Sequence, residues 1–179
     1  MPIKIRPAAR APRRPGTRRS TLAAACALAL VGAAALAGCD AARQQDAFAD
    51  AAGRVPTGYA EFDALGTPGA SRDDDDWRTA PVYAGRLSVK PVYPNPTRGG
   101  EPVTLEITVL TFEGGPGALA VRARNTTGRL VTLDEVRTSG PGVYALSFAS
   151  ALLQGAGLRR VFVFDALGEL VSYGDVLVE

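Results

Sequence analysis

The sequence contains no histidine, and its two cysteines, Cys26 and Cys39, both lie within the first 39 of 179 residues. Histidine is the usual general base near neutral pH and the commonest metal ligand, so its absence excludes His-dependent triads and most zinc and iron sites. After Cys39 there is also no thiol for nucleophilic catalysis, a disulfide or a thiolate cluster. Acid is missing from the start of the chain: Lys4, Arg6, Arg10, Arg13, Arg14, Arg18 and Arg19 precede Cys39, and no Asp or Glu does. The formal +2 of the whole therefore hides a formal −5 downstream, where 13 basic residues face 18 acidic ones. That balance does not concentrate the positive charge on which nonspecific nucleic-acid binding rests, so nucleic acid is not an expected partner. No cofactor is expected either.

What the first 39 residues do contain is a basic, Pro- and Arg-rich stretch followed by an uncharged run, Thr21 to Gly38, made mostly of Ala, Leu and Val. These are the n-region and h-region of a secretory signal. The run ends in Leu36-Ala37-Gly38-Cys39, which resembles the lipobox of bacterial lipoproteins. The resemblance implies that residues 1–38 are a signal peptide cleaved before Cys39, whose thiol carries a diacylglyceryl thioether and whose freed amine is acylated. Several acyl chains anchor stably where one is marginal. An uncleaved helix of 18 residues rich in Ala and Gly is short for crossing ~30 Å of hydrocarbon. Thr17-Arg18-Arg19-Ser20-Thr21-Leu22 also resembles a twin-arginine export signal, set against the ordinary reading of two adjacent arginines in a basic n-region.

Residues 39–80 have few large apolar side chains, too few to offset the entropy of ordering them, and they read as a lipid anchor followed by a flexible acidic linker. Asp73-Asp74-Asp75-Asp76 offers oxygen ligands of the kind calcium takes, with Asp73 and Asp75 as the weak metal candidates. The spacing of a calcium loop is absent and successive Asp residues in an extended chain point to opposite sides, so a solvated linker is expected and no metal. Trp77 marks where the chain should dock on the following domain.

From Pro81 the pattern changes to short alternating runs broken by Gly, Pro and Asn. Val103, Leu105, Ile107 and Val109 alternate with polar residues, as do Leu119, Val121 and Ala123, then Tyr144, Leu146 and Phe148, and a fourth stripe of Leu158, Phe162 and Phe164. Period two places one apolar face on a core. Weaker runs at 85–90, 130–136, 170–173 and 175–179 bring the expectation to seven or eight antiparallel strands, an all-β sandwich over 81–179. Two echoing segments, Asn125-Thr126-Thr127-Gly128 and Asp165-Ala166-Leu167-Gly168, read as type I hairpin turns in which the Asn or Asp side chain caps and Gly takes the left-handed position.

Tyr93-Pro94-Asn95-Pro96-Thr97-Arg98-Gly99, the strand and hairpin from Ala123 to Val131, and Gly142-Val143-Tyr144-Ala145-Leu146 together resemble the C-terminal sorting domain of the type IX secretion system. The resemblance implies an immunoglobulin-like sandwich. Read from the residues alone, the two prolines bias Tyr93 and Asn95 to extended geometry and make the segment a strand-entry device. The expectation is a lipid-anchored protein of the bacterial cell envelope, facing periplasm or exterior, whose non-catalytic sandwich binds or braces an envelope protein or glycan; a type IX sorting module is the alternative. An enzyme would have to use a pair such as Ser88 and Lys90, which fit better as the wet face of a half-buried strand.

Overall fold

Alternation of apolar and polar side chains sets the strands. In β2 (Pro102–Val109) Val103, Leu105, Ile107 and Val109 are buried, while Thr104, Glu106 and Thr108 are half-exposed. The strand pairs on one side with the short β1 (Leu87–Val89) and on the other with β5 (Gly142–Ala149), both antiparallel. The register sets Val103 opposite Phe148, Leu105 opposite Leu146 and Ile107 opposite Tyr144, so the two stripes merge into one apolar face. The second sheet has the order β4-β3-β6-β7, built from β3 (Ala118–Arg124), β4 (Leu130–Arg137), β6 (Gly157–Asp165) and β7 (Leu170–Val178). Leu119, Val121 and Ala123 of β3 share its inner face with Val161 and Val163 of β6. The buried faces of both sheets belong to one hydrophobic cluster, the core of a seven-stranded antiparallel β-sandwich.

The computed structural model describes residues 40–179. The expected signal peptide, the lipobox residues Leu36, Ala37 and Gly38, and Cys39 all lie outside the described residues.

Three expectations are corrected. The runs expected as two strands at 170–173 and 175–179 are one, β7, because Gly174 lies in mid-strand, where a methyl group would overlap the Trp77 indole. The fourth stripe, Leu158, Phe162 and Phe164, does not face the core between the sheets: Val161 and Val163 do, and Phe162 lies opposite Tyr173 on the outer face. The third correction explains the second. Residues 41–80, read as a flexible linker, belong to the same compact unit as the sandwich. A helix over residues 40–52 (α1) lays Phe48 and Ala52, both buried, on that outer face, with the Phe48 ring 5.0 Å from the Tyr173 ring. The chain then returns through a buried Ala60 to Trp77 and Ala80, whose backbone N–H groups donate to the Tyr173 and Val171 carbonyls along the edge of β7.

Few apolar residues suffice here because each is large or well placed and a single helical stripe is enough to cover one sheet face. Phe48→Ala is therefore expected to lower stability by about 3 kcal/mol, within the ordinary range for a buried aromatic. The comparison is the urea unfolding midpoint against Ala49→Gly on the exposed side of the same helix; a change near zero at Phe48 would mean that α1 is not packed.

Candidate functional site

The densest polar chemistry lies where α1, the 57–80 segment, the Tyr93–Thr97 segment and the outer strand β7 meet. Arg160 of β6 faces Asp175 of β7 in a side-on pair, with Nε to Oδ1 at 2.8 Å and Nη2 to Oδ2 at 2.6 Å. Its remaining nitrogen, Nη1, donates to the carbonyls of Ala51, Ala52 and Arg54 at the end of α1. The guanidinium lies 5.0 Å from the Tyr173 ring centroid. The pair is nearly buried, with side-chain exposures of 9% and 1%. A charge pair so placed requires this full set of partners to offset its desolvation.

Asp76 and Asn95 complete the junction from the other side. Asp76 accepts from the N–H groups of Asp175 and Ala60, at 3.0 and 3.2 Å. Asn95 is fully buried, donates from Nδ2 to the carbonyls of Ala60 and Asp175, and accepts at Oδ1 from the N–H of Leu177. Its backbone exchanges two hydrogen bonds with Phe62. Tyr93-Pro94-Asn95-Pro96, with both X-Pro peptides cis, thus fastens the preceding segment to β7 as well as leading into β2. Thr97 continues the cover, bridging Val178 in parallel.

The other sequence-derived candidates separate. Asn125 Oδ1 accepts from the N–H groups of Thr127 and Arg129, Asp165 Oδ1 from those of Leu167 and Glu169, and Gly128 and Gly168 have φ of 79° and 85°. Both segments are therefore capped turns followed by a left-handed glycine. Asp165 also accepts from the Tyr83 hydroxyl, and burial, followed by this contact, pushes the Tyr83 phenol well above its ordinary range. Asp73 and Asp75 form part of a turn in which the Asp75 N–H donates to Asp73 Oδ1. Their mutual hydrogen bond raises the Asp73 carboxyl and lowers that of Asp75. Among the described residues no three His, Cys, Asp or Glu side chains converge as a metal site. Lys90 pairs with Glu106 at 3.3 Å and lies over the Tyr93 ring, and Glu106 also accepts from the Tyr93 hydroxyl, which holds its carboxyl below the usual range. Ser88 lies opposite Thr108 on the same outer face.

Arg160, Asp175 and Asp76 were missed by the pattern reading, and one signal was available for the first two. A cation and an anion in neighbouring strands, each within an apolar run, mark a strand whose second face is also buried.

The loops at one end of the sandwich carry exposed apolar side chains. Phe112, 81% exposed, stands in the loop after β2 with Leu110 before it, and Leu167 projects from the β6–β7 turn. Pro116 accepts from the Ala166 N–H and Gly117 from that of Thr138, which brings these loops together.

Two outcomes follow. Burial, then the Asp175 and Asp73 carboxylates, push the Asp76 carboxyl up to about 8, against the opposing hydrogen bonds from Ala60 and Asp175. The folded protein then keeps a proton that the unfolded chain releases near pH 4, so stability is full at the acid end and falls as pH rises from about 4 to 8. The urea midpoint should decline over that range, and Asp76→Asn should flatten the decline while lowering stability throughout; a midpoint that rises toward pH 8 would contradict it. Asn95→Ala should cost about 2–4 kcal/mol, since it orphans a buried N–H and two carbonyls, and Asn95→Asp should recover little of this because the carboxylate faces those carbonyls without donors.

No protein-family model matches the chain and no curated protein matches it, so its role rests on the chemistry of its own residues.

Proposed function

We propose that the protein is a lipid-anchored component of the bacterial cell envelope whose β-sandwich binds or braces another envelope protein or glycan without catalysis. The observation that carries this reading is Leu36-Ala37-Gly38-Cys39 at the end of an uncharged run behind a basic stretch. Small residues before the Cys let an extended backbone enter a peptidase, and the thiol is the nucleophile that thioether formation needs. The apolar end loops around Phe112 support a binding role, since end loops on a rigid sandwich are the usual contact elements. The ion pairing of Lys90 with Glu106 supports a structural rather than a catalytic reading of Ser88 and Lys90.

The alternative, a type IX secretion sorting-type domain on a secreted or surface-attached protein, is favoured by the Tyr93–Gly99 and Gly142–Leu146 segments. Against it, Phe48, Ala52, Ala60 and Trp77 are buried in the same cluster as the strands, so removal of the C-terminal region would expose them.

Intact mass of the protein from its native membrane fraction distinguishes the two. The expected species runs from triacylated Cys39 to Glu179, and Cys39→Ser should leave the precursor uncleaved and unlabelled by radioactive palmitate. Labelling that survives the substitution would overturn the anchor, and a species lacking the strands after residue 81 would establish the sorting reading.

A further inference from the structure

The cleft between the end of α1 and the Asn125–Gly128 turn combines an excess of one charge with a floor that is already rigid. Its volume is about 400 Å³, and Arg54, Arg124, Arg159 and Arg160 line it together with Asn125 and Phe162. No Asp or Glu lines it. Among the described residues the ion pairs are Lys90–Glu106 and Arg160–Asp175, so Arg160 is neutralised and the other three arginines are not. The residues before Cys39 contain no acid that could compensate them. In a stretch of chain with an overall formal charge of −5, two uncompensated guanidinium groups, those of Arg54 and Arg124, beside one concavity are a local reversal of sign.

Arg159 turns away: it alternates with Arg160 along β6, and its guanidinium donates to the Gly155 and Ala156 carbonyls, outside the cleft. Arg124 is held in place, with Nη1 donating to the Gly128 carbonyl at 3.0 Å and the guanidinium 5.8 Å from the Phe162 ring centroid. Arg54 is exposed at the cleft rim, just after the helix end that Arg160 fixes. Preorganised guanidinium groups bind planar or tetrahedral oxyanions through paired N–H donors. A carboxylate carries one charge, whereas a phosphate monoester carries about −1.5 to −2 near neutral pH and three acceptor oxygens, the closer match to two cations.

We propose that this cleft is a binding site for a phosphate monoester group. That group has two sources, a soluble phosphate ester and a lipid headgroup, which the test separates. The site is independent of the anchor: its residues lie in the folded unit whether or not Cys39 is acylated.

The test is isothermal titration calorimetry on the full chain in neutral detergent, with glycerol 3-phosphate as the soluble probe and dihexanoyl phosphatidic acid as the lipid probe. Dihexanoyl phosphatidylcholine, which lacks the monoester, is the reference. Saturable binding of glycerol 3-phosphate assigns a soluble ligand; saturable binding of phosphatidic acid alone assigns a headgroup. In either case the double variant Arg54→Gln, Arg124→Gln should lose at least tenfold in affinity with an unchanged urea midpoint. Arg137→Gln, which removes an exposed charge at the end of β4 away from the cleft, should stay within twofold. The proposal fails if neither monoester binds saturably, if phosphatidylcholine binds equally well, or if Arg137→Gln weakens binding as much as the double variant. Cys39→Ser tests the anchor separately, since it should abolish acylation and leave phosphate binding as it was.

Discussion

The bidentate pair of Arg160 and Asp175 is the interaction on which the arrangement turns. It lies on the outer face of the second sheet and joins β6 to β7, and the one nitrogen it leaves free closes the end of α1. Asp175 in turn offers its backbone N–H to Asp76 and its carbonyl to Asn95. One strand position thus collects contacts from the helix, the returning segment and the Tyr93–Thr97 segment. A lone buried charge is costly, whereas here every guanidinium nitrogen donates and each carboxylate oxygen accepts. Conformational uniqueness follows from that satisfaction, because a shift of α1 by one turn would strand the guanidinium nitrogen from its carbonyls.

Sheet edges are handled by the same segment. β7 is the last strand of its sheet, and its outer edge meets Trp77, Ala80 and the Asn95–Thr97 stretch instead of solvent. At the opposite side of the sandwich, β4 and β5 are edge strands of different sheets, and Asp134 of β4 accepts the Ser147 N–H of β5 at 2.7 Å. A charged side chain placed on a neighbouring strand's donor blocks that position to further strand addition. The mid-strand glycine belongs to this scheme: Gly174 admits the Trp77 indole, and the φ of 58° at Trp77 turns the chain toward it.

Much of the sandwich was legible because β2, β3 and β5 are covered on one face, so their sequences alternate cleanly. β6 was misread in phase for the opposite reason. With Phe162 under α1 and Arg124, and Val161 and Val163 in the core, its run is apolar on both faces and period two carries no sign. The linker reading failed together with it, since the segment expected to bury little is what covers the face that was misassigned. Asp76 reads as one of four solvated acids, yet it alone of the four is buried, and nothing in a run of identical residues distinguishes its fourth member. Asn95 stands out in the sequence by its place in the strand-entry segment; its partners at Ala60 and Asp175 lie 35 and 80 residues away and leave no local trace.

The contact between Phe48 and Tyr173 spans 125 residues of chain. Loop-closure entropy must be met before such a contact stabilises anything, and topologies rich in distant pairings fold slowly. An isolated helix of this length is marginal in water, so α1 has nothing to pack on until β6 and β7 have formed. The helix, made before the strands it packs on, is therefore among the last elements to settle, and a nascent chain emerging from a ribosome must keep Phe48 and Trp77 unpartnered until β7 arrives.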